Sequence, residues 1–287
     1  MGQPQQWKIG NVTIVRILET SEPVPWAAIY GEQTSHLSRK YPYLTPRFLT
    51  PEGQIILAVP AFVVFSGGRR VLVDTCVGND KPREISNCNN LQTAFLKDLA
   101  AAGYPPESID TVLCTHLHFD HVGWNTHLVN GRWVPTFPNA RYLFGRREWE
   151  HCQRLVREGA AAIEHIHDSI QPILDAGLAD LVEHDHRLTS EVWLEPTPGH
   201  TPGHASVHIS SQGQEAIISG DVFHNPIQFA EPDLCSVACF DREMSSKTRR
   251  AFLGHYEGKP VLVLGTHFNH PAGWVVRDGI CWRFQVQ

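Results

Sequence analysis

The densest run of chemistry-bearing side chains is Thr115-His116-Leu117-His118-Phe119-Asp120-His121. The residues before it, DTVLCT (110–115), form a short apolar run that suits a buried strand. In an extended segment leaving that strand, side chains at i and i+2 point the same way, so His116 and His118 can grip one metal ion together. Asp120 and His121 lie about a turn further on. Adjacent side chains diverge, which suits this pair poorly to the same ion and well to a second one nearby. Three more candidates stand downstream: His200 in PTPGHTPGH (196–204), Asp221 in SGD (219–221) and His267 in GTH (265–267). Each falls at or just beyond the end of an apolar strand-like run, where the loops at one rim of a sheet converge. Burying such a polar cluster beside apolar strands is expensive without a metal or hydrogen-bonded partners. These seven residues are therefore read as ligands. His127, His151, His165, His167, His184, His186 and His255 are read as solvated surface side chains, and His204 and His208 as structural. Other catalytic templates fail: there is no G-x-S-x-G or H-E-x-x-H, and GHYEGKP (254–260) has a Pro where a phosphate loop needs Ser or Thr.

The elements that must position these residues follow from periodicity. Trp7 to Leu18 alternates as a strand or two, AFVVFSGGRRVLVDT (61–75) reads as a hairpin around Gly67-Gly68, and LQTAFLKDLAAAGY (91–104) has helical spacing with Gly103 as stop. A hairpin-like segment (128–144), helices over 147–159 and 160–176, and three short strands, EVWLEPT, ASVHIS and EAIISGD, come next. A helix near 245–254, the strand PVLVLGT and a hairpin turned at Asp278-Gly279 close the chain. Residues 19–54 carry Pro23, Pro25, Pro42, Pro46 and Pro51 among Trp26, Tyr30, Tyr41, Tyr43 and Phe48, which suits an ordered arm or loop better than a strand or helix. The pattern is mixed α and β, and strands flanking helices in two successive halves suit two packed sheets with helices outside.

Composition narrows the class. The chain has 287 residues, 42% hydrophobic and 19% charged, with a net charge of -6, so no overall positive field draws in nucleic acid or an anionic membrane. Its polar start lacks the apolar stretch of a signal peptide and no run of about 18 apolar residues occurs, so a cytoplasmic protein with no membrane partner is expected. Seven scattered Cys do not form a disulfide framework, and the close pair Cys235 and Cys239 lacks zinc or redox spacing. Free, mostly buried thiols are expected.

From about Leu57 to about Phe284 the sequence resembles the metallo-β-lactamase-fold hydrolases: the HxHxDH core, the GHTPGH loop, the isolated Gly-Asp and the late His occur here in the family's order. The resemblance implies an α+β chain folded as an αββα sandwich of two mixed sheets, with residues 1–287 as one domain. It further implies that His116, His118 and His200 bind a first metal, Asp120, His121 and His267 a second, and that Asp221 bridges them with a hydroxide. Asp74, in the LVDT-like hairpin, would orient a ligand imidazole. One departure concerns Cys76, which stands where many members have Gly after the Asp-Thr pair and so puts the local turn in question.

Within that family, branches separate by sequence. True β-lactamases of this fold lack the bridging Asp, and glyoxalase II-like thioesterases add a C-terminal helical domain. The RNA-processing relatives need an inserted domain or a basic groove, and flavin-coupled diiron relatives put Glu at the position of His118. What remains resembles the N-acyl homoserine lactonases and the methyl parathion hydrolase group. This implies a dinuclear hydrolase, with zinc expected and iron, manganese or cobalt as alternatives, cleaving a small-molecule ester or lactone. A phosphotriesterase is the runner-up, ahead of a thioesterase or a non-hydrolytic iron enzyme. Asp120 would shuttle a proton to the leaving group. The arm at 19–54, with Phe119 and Trp124, would wall an apolar pocket; the competing expectation is that its aromatics pack the core edge or a homodimer interface. His224 follows Asp221 by three residues, where the lactonases carry a Tyr. Its neutral imidazole is expected to donate to the substrate carbonyl oxygen, or else to bond a backbone carbonyl.

Overall fold

Alternation in two apolar runs decides where the layers lie. In residues 59–64, Phe62 and Val64 bury on one face while Val59, Ala61 and Val63 bury on the other. In the same way Ala216 and Ile218 point opposite to Ile217, and Leu262 and Leu264 opposite to Val263. A strand buried on both faces must lie in a sheet covered on both sides.

The structure, a computed structural model that describes residues 4–287, contains these strands in chain order: β1 Gln6–Ile9, β2 Val12–Val24, β3 Ile55–Ser66, β4 Arg69–Val73, β5 Thr111–Leu113, β6 Thr126–Val129, β7 Arg132–Pro135, β8 Arg141–Gly145, β9 Ala179–Val182, β10 Val192–Pro196, β11 Ala205–Ser211, β12 Gln214–Ile218, β13 Val261–Leu264, β14 Ala272–Asp278 and β15 Cys281–Val286. One sheet has the order β1-β2-β3-β4-β5-β8-β9, with β4, β5, β8 and β9 parallel. The other runs β10 to β15 in sequence, with β12 and β13 parallel. Both sheets are mixed. Phe62, Val64, Val71, Val73 and Leu113 meet Val192, Val207, Ile209, Ile218 and Leu264 between them. Helices Phe95–Ala101, Arg146–Glu158 and Gln171–Asp175 cover the outer face of the first sheet, and Arg242–Tyr256 covers that of the second. This is the expected αββα sandwich.

Several local expectations change. Residues 19–24 of the arm continue β2 as strand, because that part of β2 pairs with β3 alone and a one-sided strand tolerates Pro23. Short helices follow at Trp26–Tyr30, Glu32–Arg39 and Pro42–Leu44. The segment 128–144 splits into the hairpin β6–β7 and the main-sheet strand β8. Helix 160–176 begins late, at Glu164, since Gly159 (φ 65°) and Ala162 (φ 57°) turn left-handed, and it contains a π-turn at Ile166–Ile170. In the closing hairpin Asp278 pairs with Cys281, so the turn is Gly279-Ile280, with Gly279 at φ 60°.

A bulge between Leu18 and Thr20, opposite Pro60, breaks the β2–β3 register and re-aims Glu19. Its carboxylate accepts the N–H groups of Val77 (2.8 Å) and Gly78 (3.3 Å) and the Trp124 indole N–H (2.6 Å). That props the loop after β4 against the loop that carries the histidine cluster. Val77 and Gly78 in turn lie so close to Gly123 that a Cβ there would meet the Val77 oxygen at 1.8 Å.

Candidate metal centre

Asp74 follows β4, His116 and His118 follow β5, His200 leaves β10, Asp221 follows β12 and His267 follows β13. They therefore gather at one rim, at the carboxyl ends of the parallel strands, where open α/β sheets place their sites. Backbone bonds fix the approach: Thr75 N–H to His121 O, Gly123 N–H to Cys76 O and Trp124 N–H to Thr75 O, each 2.8 Å.

The structure brings all seven expected ligands together. His116 Nε2 lies 3.1 Å and His200 Nε2 2.9 Å from His118 Nδ1. Bonds of about 2.0–2.1 Å to a tetrahedral zinc give ligand edges of about 3.3–3.4 Å, so these nitrogens stand within a few tenths of an ångström of that spacing. Asp120, His121 and His267 form a second group, with His267 Nε2 3.6 Å from Asp120 Oδ2 and His121 Nε2 3.8 Å from Asp120 Oδ1. Asp221 lies between the groups. Its Oδ1 is 3.3 Å from His121 and 3.1 Å from His267, and its Oδ2 is 3.3 Å from His200 and 3.8 Å from His116.

Four of the five rings are held by the other nitrogen. His116 Nδ1 faces Thr115 Oγ1 at 3.1 Å, His121 Nδ1 donates to Asp74 Oδ2 at 2.9 Å, and His267 Nδ1 donates to Ala58 O at 2.8 Å. His200 Nδ1 faces Cys239 Sγ at 3.6 Å. These contacts turn the remaining nitrogens of those rings toward the cluster.

Charge favours the same reading. Burial, reinforced by neighbouring imidazoles, pushes His116 and His200 well below the usual histidine range, and burial takes His118 down to about 4. The first group is thus three neutral imidazoles. For His121, burial acts downward but Asp221, Asp120 and Asp74 outweigh it and hold the ring well above its ordinary value. His267 is raised too, burial being outweighed mainly by Asp221. Asp221 is held well below the carboxylate range, burial being outweighed by His267, His121 and His224. His121 Nε2 and Asp221 Oδ1 are buried and, among the described residues, have no hydrogen-bond partner. Orphaned polar atoms of this kind facing one another fit a pair of bound cations, and the donor set of imidazole and carboxylate suits zinc and its neighbours.

A family model described as the metallo-beta-lactamase superfamily matches residues 56–272. The chain belongs to that superfamily. It is 29% identical over 183 residues to an N-acyl homoserine lactonase of a Bacillus species, covering 61% of this chain and 62% of that protein. It is 30% identical over 169 residues to the N-acyl homoserine lactonase AiiA of Bacillus thuringiensis subsp. kurstaki, covering 58% and 59%. The chain therefore matches about three-fifths of the length of these relatives. Among solved structures it is similar to AidC, a dizinc quorum-quenching lactonase in complex with a product, with TM-score 0.81, 18% identity and coverage of 99% and 97%. It is also similar to the hydrolase AbOPH in the beta lactamase superfamily, with TM-score 0.80, 22% identity and coverage of 100% and 98%.

Against the metallo-beta-lactamase pattern, Cys76 does adopt the left-handed backbone that Gly would favour, at φ 54°, with its side chain buried. His224 sits where expected, over the centre. Its Nε2 is 3.2 Å from Asp221 Oδ2, its ring stacks on His267 at 5.7 Å, and its buried Nδ1 has no partner among the described residues. The alternative of a bond to a backbone carbonyl is not what the structure shows.

The pocket expectations divide. His118, Phe119 and Asp120 are the part-exposed members of the cluster, and Phe119 also packs against the core of the first sheet with Arg83 over its ring. Trp124 instead is buried, stacked on Phe95 and bonded to Glu19, because the turn at Gly123 directs its indole behind the ligands. Trp26 and Tyr30 pack with Phe223 and Phe229 in the core against the second sheet, as the packing expectation has it. Tyr41 bonds Glu231 at 2.6 Å, and Tyr43 is partly exposed beside Arg283.

Four functional contacts escaped the sequence reading. Glu148 accepts N–H groups from both ligand loops, Cys239 meets His200, and Thr115 bonds Asp74. His204, read as structural, accepts the Asp221 N–H on Nε2 at 2.8 Å and so fixes the backbone of Asp221. His165, read as solvated, is buried beside Arg83 and Asp168, and burial takes it to about 4. No motif marks these residues; only His204 carries a signal, its place in GHTPGH. The seven cysteines are free, and five are buried. Among the described residues no helix is long and apolar enough to cross a membrane.

Proposed function

We propose that the protein is a dinuclear metal-dependent hydrolase that cleaves a carboxylic ester or lactone. The observation that carries this reading is the convergence of two three-residue donor groups on one shared carboxylate, Asp221. The likeness to N-acyl homoserine lactonases supports a lactone as the substrate class. His116, His118 and His200 would hold one cation and Asp120, His121 and His267 the other, with zinc the expected metal. Such a pair supplies a hydroxide near neutral pH and a Lewis acid for the carbonyl oxygen.

The chain's own residues do the rest. Asp221 sets the separation of the two groups. Asp120, whose side chain is 17% exposed, is the carboxylate that reaches the open side, and it would hold a proton for the leaving alkoxide. His224 presents its Nε2 beside Asp221 and would donate to the oxygen that gains charge. Phe119, part-exposed between His118 and Asp120, would pack the acyl portion of the substrate. The test is a panel of N-acyl homoserine lactones, other lactones, aryl esters, thioesters and phosphotriesters, run with metal analysis on the same sample. Lactone or ester turnover is expected; turnover confined to phosphotriesters or thioesters overturns the substrate class.

A further inference from the structure

Glu148 is 2% exposed and, among the described residues, no cation pairs with it; desolvation raises its carboxyl above the usual range, and the groups that oppose this are hydrogen-bond donors. A buried carboxylate in that position costs several kcal/mol unless its oxygens are well satisfied. Here Oε2 accepts the Leu117 N–H at 3.1 Å and Oε1 accepts the Gly203 N–H at 2.6 Å.

Those two donors are informative. Leu117 lies between His116 and His118, and Gly203 lies three residues after His200. One carboxylate thus spans the two loops that supply every imidazole of the first group, from a third element, the helix Arg146–Glu158. The loops also share a backbone bond, Ala205 N–H to Thr115 O at 3.0 Å, but that bond lies below the ligands, at the strand ends. The geometry at Gly203 is built around the contact. A Cβ there would meet Arg147 Cβ and Glu148 N at 2.9 Å and Glu148 Oε1 at 3.0 Å, so the loop approaches the helix as closely as a glycine allows.

We propose that Glu148 is the positioning residue of the first metal site: by clamping Leu117 and Gly203 it fixes the His116–His118 pair against His200 and sets the affinity of that site. The second group takes its order from other residues, Asp74 through His121 and Ala58 through His267, so Glu148 acts on one site and not on the other. The inference rests on the dinuclear reading above.

The test uses the purified full chain, stripped of metal and titrated with zinc against a chromophoric chelator. Glu148→Gln keeps the volume and one acceptor but turns an NH2 toward the second N–H, so one loop is released. In a His267→Ala background, which leaves the first site, Glu148→Gln is expected to weaken zinc binding by about 10- to 100-fold. In a His116→Ala background, which leaves the second, the same change is expected to have less than about a threefold effect. Equal zinc affinity with Glu or Gln in the His267→Ala background overturns the proposal, as does equal weakening in both backgrounds. Circular dichroism of the metal-free variants checks folding. If Glu148→Gln does not fold, Glu148→Asp keeps the charge but is one methylene too short to reach both donors; a selective first-site loss supports the clamp and unchanged affinity overturns it. An unsubstituted chain that takes up no zinc would instead refute the metal centre itself.

Discussion

Replacing Asp74 by Asn separates a carboxylate's charge from its shape. Asp74 accepts the Thr115 N–H on Oδ1 at 2.8 Å, and on Oδ2 the Thr115 hydroxyl at 3.0 Å and His121 Nδ1 at 2.9 Å. In Asp74→Asn the amide oxygen can keep the Thr115 N–H, but the NH2 then faces the His121 Nδ1 hydrogen. One charge-assisted bond is lost, worth about 1.5–3 kcal/mol. At about 1.4 kcal/mol per tenfold, zinc affinity at the His121 site should fall by about 10- to 150-fold. The loss arises because nothing then holds the His121 proton on Nδ1 and leaves Nε2 free to ligate. Chelator competition in a His116→Ala background reads that site alone, and thermal melting of the metal-free chain reads the fold. Unchanged zinc affinity together with a lowered melting temperature would show that Asp74 serves folding only, and the orienting role would be wrong.

His224→Ala should lower kcat by about 10²–10³ with two metals still bound, as loss of one oxyanion donor does elsewhere; unchanged kcat assigns oxyanion stabilisation to the metals. Phe119→Ala should raise KM for long-chain acyl lactones about tenfold more than for short-chain ones, since each buried methylene contributes about 0.8 kcal/mol. Trp26→Ala should instead cost about 3–5 kcal/mol of stability and leave that ratio alone, because Trp26 is core; a chain-length effect would return the arm to the pocket wall. His165 is depressed to about 4 against an ordinary value near 6.5, so the unfolded chain binds the extra proton between those values. The stability this contributes is full above pH 6.5 and is lost as pH falls toward 4. His165→Gln should therefore flatten the denaturation midpoint across that window, and an unchanged slope in urea titrations would show that the ring is protonated in the folded state.

The cluster of seven His and Asp side chains was legible because its signals are local: an i, i+2 pair leaving a strand, and single His or Asp residues at the ends of apolar runs. Layer order came from the family resemblance, since apolar runs such as those of β3 and β12 mark doubly buried strands but do not by themselves say how the sheets stack. What supports the ligands was not legible. Glu148 meets Leu117 and Gly203, 31 and 55 residues away, and Cys239 meets His200, 39 residues away, with no spacing rule to link them. Trp124 misled because nearness to ligands in sequence says nothing about which side of the turn at Gly123 the indole takes. The strand character of residues 19–24 was hidden by Pro23, whose tolerance depends on β2 pairing there on one side only. His165 was hidden because Arg83, one of the groups it is buried beside, is distant in sequence and no motif links the two.

The most direct test of the dinuclear centre is a zinc titration of the metal-free protein that follows N-acyl homoserine lactone hydrolysis and bound zinc in the same samples. Seven donors dividing three and three around Asp221 require activity to rise to its plateau at two equivalents. Full turnover at one equivalent, or no lactone hydrolysis with two equivalents bound, would contradict it.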